Sequence, residues 1–205
     1  MVDVVLASGN QGKLAELTEL LRDVPVTLRA QSEFGVPEAV EDGLSFIENA
    51  IIKARNAADF TRLPALADDS GIAVDALGGA PGIYSARYAG RDASDIENLQ
   101  KLLADTVQIA DGQRDCAFIC VVVYVRHATD PMPLVSQGVW HGQLLLEPVG
   151  THGFGYDPIF YVPDKQLSSA ELSPAVKNAI SHRAQALNHM VRAMQGEFTR
   201  ADELD

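Results

Sequence analysis

Hydrophobic positions along the chain follow two spacings in turn, one of strands and one of helices. Residues 2–7, VDVVLA, form a β-branched run that reads as a buried strand. SGNQGK then makes a turn, after which Leu14, Leu17, Leu20 and Leu21 recur at helical spacing. A second helix is signalled by Ser45 with Glu48 three residues on, a capping box. Its expected apolar face is Ile47, Ala50, Ile51, Ala54 and Ala58, with Asn49 and Lys53 one turn apart on a different face. LPALA reads as a short strand that stops at Asp68. Ser94 and Glu97 form another capping box, ahead of Ile96, Leu99, Leu102 and Leu103.

AFICVVVYV is the most continuous apolar run and is expected to be the central strand. PLVSQGVWHGQLLLEPV is interrupted by glycine and reads as strand segments with a bend or bulge. PIFYV is a further strand. Leu187, Met190, Val191 and Met194 mark a last helix with Ser181 as its expected N-cap, and GEFTRADELD reads as a frayed acidic tail. Strands and helices mixed in this way predict one α/β domain over residues 1–205, a mixed sheet flanked by helices.

The net charge of -12 changes the range of partners. Such a surface repels phosphate backbones, so no nucleic acid is expected as partner. A polyanionic small ligand remains possible only where cations cluster locally. Cys116 and Cys120, about 13 Å apart if on one strand, cannot bridge each other, and unbridged thiols suggest a reducing compartment. With neither a leader-like segment nor an apolar run long enough to span a bilayer, a cytoplasmic protein with no membrane contact is expected.

Candidate chemistry gathers in a few stretches. Asp68 and Asp69 stand side by side in LADDSG, where two carboxylates repel unless water, a cation or a proton relieves them. A solvated turn and a metal or general-base site both fit that stretch. SGNQGK fails the Walker and dinucleotide spacings. Its strand–loop–helix context and Lys13 still suit phosphate, although a plain tight turn fits too. The chain has only five lysines, of which Lys13, Lys53 and Lys177 lie in such contexts.

GFGYDPIF joins backbone freedom to the faces of Phe154 and Tyr156 and the carboxylate of Asp157, suiting a flat heterocycle or a hairpin with buried aromatics. His182 and Arg183 follow a serine at a helix start; a lone His there is more often a packed or capping residue than a catalyst, but with Arg183 beside it at an anion-friendly terminus ligand contact is expected. Glu41 with Asp68 and Asp69 would complete an oxygen-rich magnesium site, which accounts for adjacent acids if a cation and its phosphate ligand share them.

Together SGNQGK, FIENAIIKA, LADDSGIAVDALGGAPGIYSARY, GFGYDPIF and SHRAQAL resemble the non-canonical purine nucleoside triphosphate pyrophosphatases, and the bacterial branch of that family. The resemblance covers nearly the whole chain. It implies an α/β fold with two lobes and a substrate cleft between them, in a homodimer. It also implies Mg2+-dependent hydrolysis of inosine, deoxyinosine and xanthosine triphosphates to the monophosphate and pyrophosphate. By position it places Ser8, Gly9, Asn10, Gln11, Gly12 and Lys13 on the triphosphate, with Lys53 nearby. Asp69 becomes general base and metal ligand, Glu41 a second ligand, and Ser70 a substrate contact. Phe154, Gly155, Tyr156, Asp157, Lys177, His182 and Arg183 would hold the nucleotide and its base. Relatives often carry a second acid where this chain has Val40, which leaves Glu41 the natural candidate. Two rivals are a pyrophosphatase for pyrimidine or modified nucleotides and a nucleotide-binding regulator without turnover.

Overall fold

The computed structural model describes residues 2–21 and 25–202, with backbone alone at residues 11, 12, 14, 15, 20 and 196–202. In chain order the main elements are β1 (Val2–Leu6), α1 (Gln11–Leu20), β2 (Val26–Ala30), α2 (Phe46–Thr61), β3 (Ala65–Val74) and α3 (Asp95–Thr106). They are followed by β4 (Asp115–Val125), β5 (Leu134–Leu144), β6 (Phe160–Val162), β7 (Leu167–Ser168), α4 (Pro174–Ile180) and α5 (His182–Asp202). Seven strands form one sheet in the order β2-β1-β3-β4-β5-β6-β7. β1 runs parallel to β2 and β3, whereas β5–β6 and β6–β7 are antiparallel, so the sheet is mixed as expected. The AFICVVVYV run lies in β4, the middle strand.

The chain divides into two compact units. Met1–Asp69, Cys120–Gly138 and Arg183–Asp205 form the first, and Ser70–Ile119 with Val139–His182 the second. In the first unit the inner parts of β1, β3 and β4 bury both faces, which is why their apolar runs are continuous, whereas the edge strand β2 is only half-buried. Val4, Leu6, Leu66, Cys120, Val122 and Tyr124 share one face with Leu17 of α1, its C-cap Leu21, and Leu187, Met190 and Met194 of α5. The alternate residues Val5, Ala7, Ala65, Ala67, Val121 and Val123 face Ala50, Ala54, Ala57 and Ala58 of α2. The second unit buries Ile72, Val74, Leu99, Leu102, Phe118, Trp140 and Phe160 together.

Several expectations are corrected. β3 does not stop at the acids but runs through them to Val74. The helix after β1 begins at Gln11, so Gln11, Gly12 and Lys13 belong to its first turn; the side chain of Gln11 lies outside the described residues, as do those of Leu14 and Leu20. Ile47 and Ile96 are exposed, because the buried stripes of α2 and α3 turn toward Ala57 and Asn98. β5 is unbroken: a Cβ at Gly142 would come within 2.5 Å of the Phe160 ring and the Tyr161 carbonyl, so this glycine serves close approach to β6. Ser181 ends α4, a helix the spacing did not reveal, and stands just before α5. α5 continues through the expected tail to Asp202.

Candidate active site

In the first unit the two acids of β3 are buried, Asp68 at 1 % and Asp69 at 6 % exposure, which rules out the solvated turn. Neighbouring strand residues point to opposite faces. Asp68 therefore shares the face of Leu66 and meets the cations of α1 and α5. Asp69 shares the face of Ala67 and meets a cation of α2. Repulsion between them is relieved twice over, by opposed direction and by separate counter-ions.

On the first face, Lys13 Nζ lies 3.1 Å from Asp68 Oδ2 and Arg183 Nη2 3.6 Å from it. Arg183, in the first turn of α5, is also ion-paired with Glu16 of α1. Lys13 is presented by a capped turn: Asn10 is the N-cap, and its side chain accepts the Lys13 backbone N–H at 3.0 Å. Ser8 Oγ in turn accepts the Asn10 N–H. Burial works against an ionised Asp68, but Lys13, Arg183 and Lys53 outweigh it and hold the carboxyl well below the usual range. The same pairs push the Arg183 guanidinium up against its own burial. Burial and the carboxylate of Asp68 push the Cys120 thiol, 3.9 Å from Asp68 Oδ2, up to about 12, so it is a packing group.

On the opposite face, Lys53 Nζ donates to Asp69 Oδ1 at 2.7 Å and lies 3.5 Å from Glu41 Oε1. Burial, with the nearby charge of Glu41, raises the Asp69 carboxyl, and Lys53 and Lys13 offset that only in part. Those three acids in turn raise Lys53 despite its burial. The neighbouring acids are thus driven in opposite directions, one kept ionised and one made a better proton acceptor.

Asp68 Oδ1 and Asp69 Oδ2 are buried without a hydrogen-bond partner. Oxygen donors of this kind fit a hard divalent cation. Among the described residues, however, no three His, Cys, Asp or Glu side chains are gathered tightly enough to hold a metal. The expected trio is therefore split. Glu41 and Asp69 share Lys53, while Asp68 faces the other way. Gly9 carries no positive φ, and a Cβ there would meet nothing nearer than 3.9 Å, so the protein's own packing does not require that glycine.

In the second unit, Asp157 organises the GFGYD loop. Its Oδ2 accepts the Phe154 N–H at 2.9 Å and the Lys177 ammonium at 2.7 Å, while its Oδ1 accepts Ser169 Oγ at 2.8 Å. Lys177 stands 5.2 Å from the centroid of the Phe154 ring. Gly153 has φ +79°, and a Cβ there would collide with the Asp157 carboxylate, so this position requires glycine. The Gly155 N–H donates to Asp95. Tyr156 is a core residue whose hydroxyl donates to the Ser85 carbonyl at 2.8 Å. His182 is buried and stacked on Phe118, centroids 4.8 Å apart. Ser70 is half-buried within β3. Sequence reading did not single out Glu16, Asp95 or Ser169, because each acts through a partner distant in the chain.

The family model described as the Ham1 family matches residues 4–193. A dITP/XTP pyrophosphatase of Shigella flexneri is 58% identical over 195 residues, 95% of this chain and 99% of the relative. Its counterpart in Vibrio cholerae is 55% identical over 97% of this chain and 100% of the relative. Among solved structures, a HAM1 protein from Coxiella burnetii superposes with a TM-score of 0.89 at 52% identity, covering 96% of this chain and 100% of that one. A match this extensive, a family model over residues 4–193 and relatives more than half identical over nearly the whole chain, has one consequence: the chain belongs to the Ham1 family.

Proposed function

We propose that this protein hydrolyses purine nucleoside triphosphates with a 6-oxo base, such as ITP, dITP and XTP, to the monophosphate and pyrophosphate. The observation that carries the reading is Asp69, a buried carboxylate with a raised proton affinity, held by Lys53 and keeping one oxygen without a partner. Curated relatives at 55–58% identity that bear the name dITP/XTP pyrophosphatase support it.

Asp69 accepts the proton of a water that attacks the α-phosphorus. The bond from that phosphorus to the α–β bridging oxygen breaks, and pyrophosphate leaves. Lys13 and Lys53 offset the charge that develops on the phosphates. Ser8 to Lys13 cradle the triphosphate, and Gly9, free of packing duty, lets phosphate approach the backbone. Glu41 and Asp69 would hold Mg2+, which neutralises phosphate charge when bound. Asp68 keeps Lys13 and Arg183 in place, and Arg183 acts through that ion pair.

In the second unit, Phe154 offers a stacking face steadied by Lys177, while Gly155, Tyr156 and Asp157 shape the loop. His182 and Ser70 are assigned to the nucleotide. Donors aimed at O6 would meet the N6 amine of ATP donor-to-donor, at about 1–3 kcal/mol for each unpaired group. A homodimer in the cytoplasm, one catalytic domain per chain, removing deaminated purines from the nucleotide pool, completes the reading. Pyrophosphate release from ITP, dITP, XTP, GTP and ATP tests it. Rapid release from the first three and slow release from ATP is expected, and binding without release would overturn it.

A further inference from the structure

Four alanines, Ala50, Ala54, Ala57 and Ala58, and one asparagine make up the buried residues of α2. Asn49 has 0% exposure, and its Nδ2 is buried without a hydrogen-bond partner. Burying half an amide unsatisfied is costly, and an alanine at 49 would avoid it. Its other half explains the residue: Asn49 Oδ1 accepts the backbone N–H of Gly43 at 2.9 Å. The next N–H, of Leu44, goes to Glu48, whose carboxylate also accepts the Ser45 hydroxyl, so the expected capping box forms only in part: Ser45 caps the Glu48 N–H, but Glu48 takes the N–H of Leu44 in place of that of Ser45. The Gly43 bond reaches beyond that start, to within two residues of Glu41. Gly43 lies tight against the helix, for a Cβ there would come 2.6 Å from Glu48 Cβ and 2.7 Å from Asn49 Oδ1. One turn after Asn49, Lys53 meets Glu41 and Asp69.

We infer that Asn49 is a positioning residue, clamping the 41–43 segment onto α2 so that Glu41 faces Asp69 across Lys53 as one half of a divalent-cation site. The inference rests on the assignment of Glu41 and Asp69 to the cation. Gly43 is the other half of the clamp, since it alone permits the close approach. Glu48 holds Leu44 and Ser45, outside the 41–43 segment.

Mn2+ alone, titrated into the purified full chain and followed by electron paramagnetic resonance, tests this, with circular dichroism as a check of folding. Wild type binds Mn2+, and Glu41→Gln weakens it. Asn49→Ala and Gly43→Ala, which break the clamp from opposite ends, each weaken Mn2+ about fivefold, the factor that one hydrogen bond of typical net strength represents. The double variant is no weaker than either single one, because both remove the same bond. Glu48→Ala, although it loosens the helix start, leaves Mn2+ affinity unchanged. If Glu41→Gln weakens Mn2+ but folded Asn49→Ala or folded Gly43→Ala binds it like wild type, the positioning role is overturned and the metal assignment stands. Additive losses in the double variant, or an equal loss in Glu48→Ala, also overturn it in favour of general loosening. If wild type and Glu41→Gln bind alike, the metal assignment fails and takes the clamp's purpose with it.

Discussion

Asp68→Asn and Asp69→Asn are nearly isosteric changes at adjacent positions, yet the structure assigns them opposite consequences. Asp68 is fully buried at the side chain, and its carboxylate is the counter-ion of Lys13 and of an Arg183 that is itself only 2% exposed. Neutralising it leaves two cations facing an amide, and breaking a buried pair in this way costs about 3–5 kcal/mol. Glu16 still holds Arg183, which favours the lower end of that range. For a chain of this size each kcal/mol shifts Tm by about 2–4 °C, so a fall of about 10 °C is expected. Asp69→Asn leaves Lys53 with Glu41 and removes a carboxylate that burial already disfavours, so Tm should move by a few degrees, about 1 kcal/mol. Its turnover should instead fall on the order of 10²–10⁴, the usual yield of a general base. Scanning calorimetry and pyrophosphate release per folded molecule, measured on the same samples, separate the two effects. Similar Tm losses in both variants, or near-normal turnover in Asp69→Asn, would refute the opposite-face reasoning.

Three further outcomes are expected. Lys13→Ala should weaken ITP binding far more than IMP binding, by isothermal titration in low and moderate salt; equal weakening would place Lys13 away from the outer phosphates. The acid limb of kcat/KM, which reports the free enzyme, should lie above the ordinary aspartate range, because burial raises the Asp69 carboxyl, and should vanish in Asp69→Asn. Stability should respond with the other sign at Asp68: its depressed carboxyl stabilises the fold fully above about pH 4, and the contribution is lost as pH falls below that, so the Tm gap between wild type and Asp68→Asn should narrow in acid.

What the sequence made legible was local. Caps at Ser45 and Ser94 and the β4 run were readable because they depend on near neighbours or on burial of both faces of a strand. The errors arose where a distant partner decides. Ile47 fits a helical stripe, but the close-packed side of α2 is set by Ala54, Ala57 and Ala58 against the sheet, which turns Ile47 outward. Gly142 looked like a break in a strand because its cause, the ring of Phe160, lies on another strand. α4 did carry its signals, Ser173 as N-cap and Pro174 in the first turn, but seven residues are too few to show a period. Most of the candidate site residues were legible, but their grouping was not. Nothing in LADDSG says which cation each acid meets.

That grouping follows from the strand itself. On a helix, successive residues are separated by about 100° and share a broad environment. On a strand they are separated by about 180°, and a sheet covered on both sides offers two interiors with different chemistry. α1 and α5 supply Lys13 and Arg183 to one interior, and α2 supplies Lys53 to the other. Two identical side chains therefore acquire opposite proton affinities one residue apart. A counter-ion must stay charged through the working pH range, and a base must be willing to take a proton within reach of it. Had the strand stopped at Asp68, as turn chemistry suggested, both carboxylates would sit in water near the ordinary aspartate value and neither task would be served.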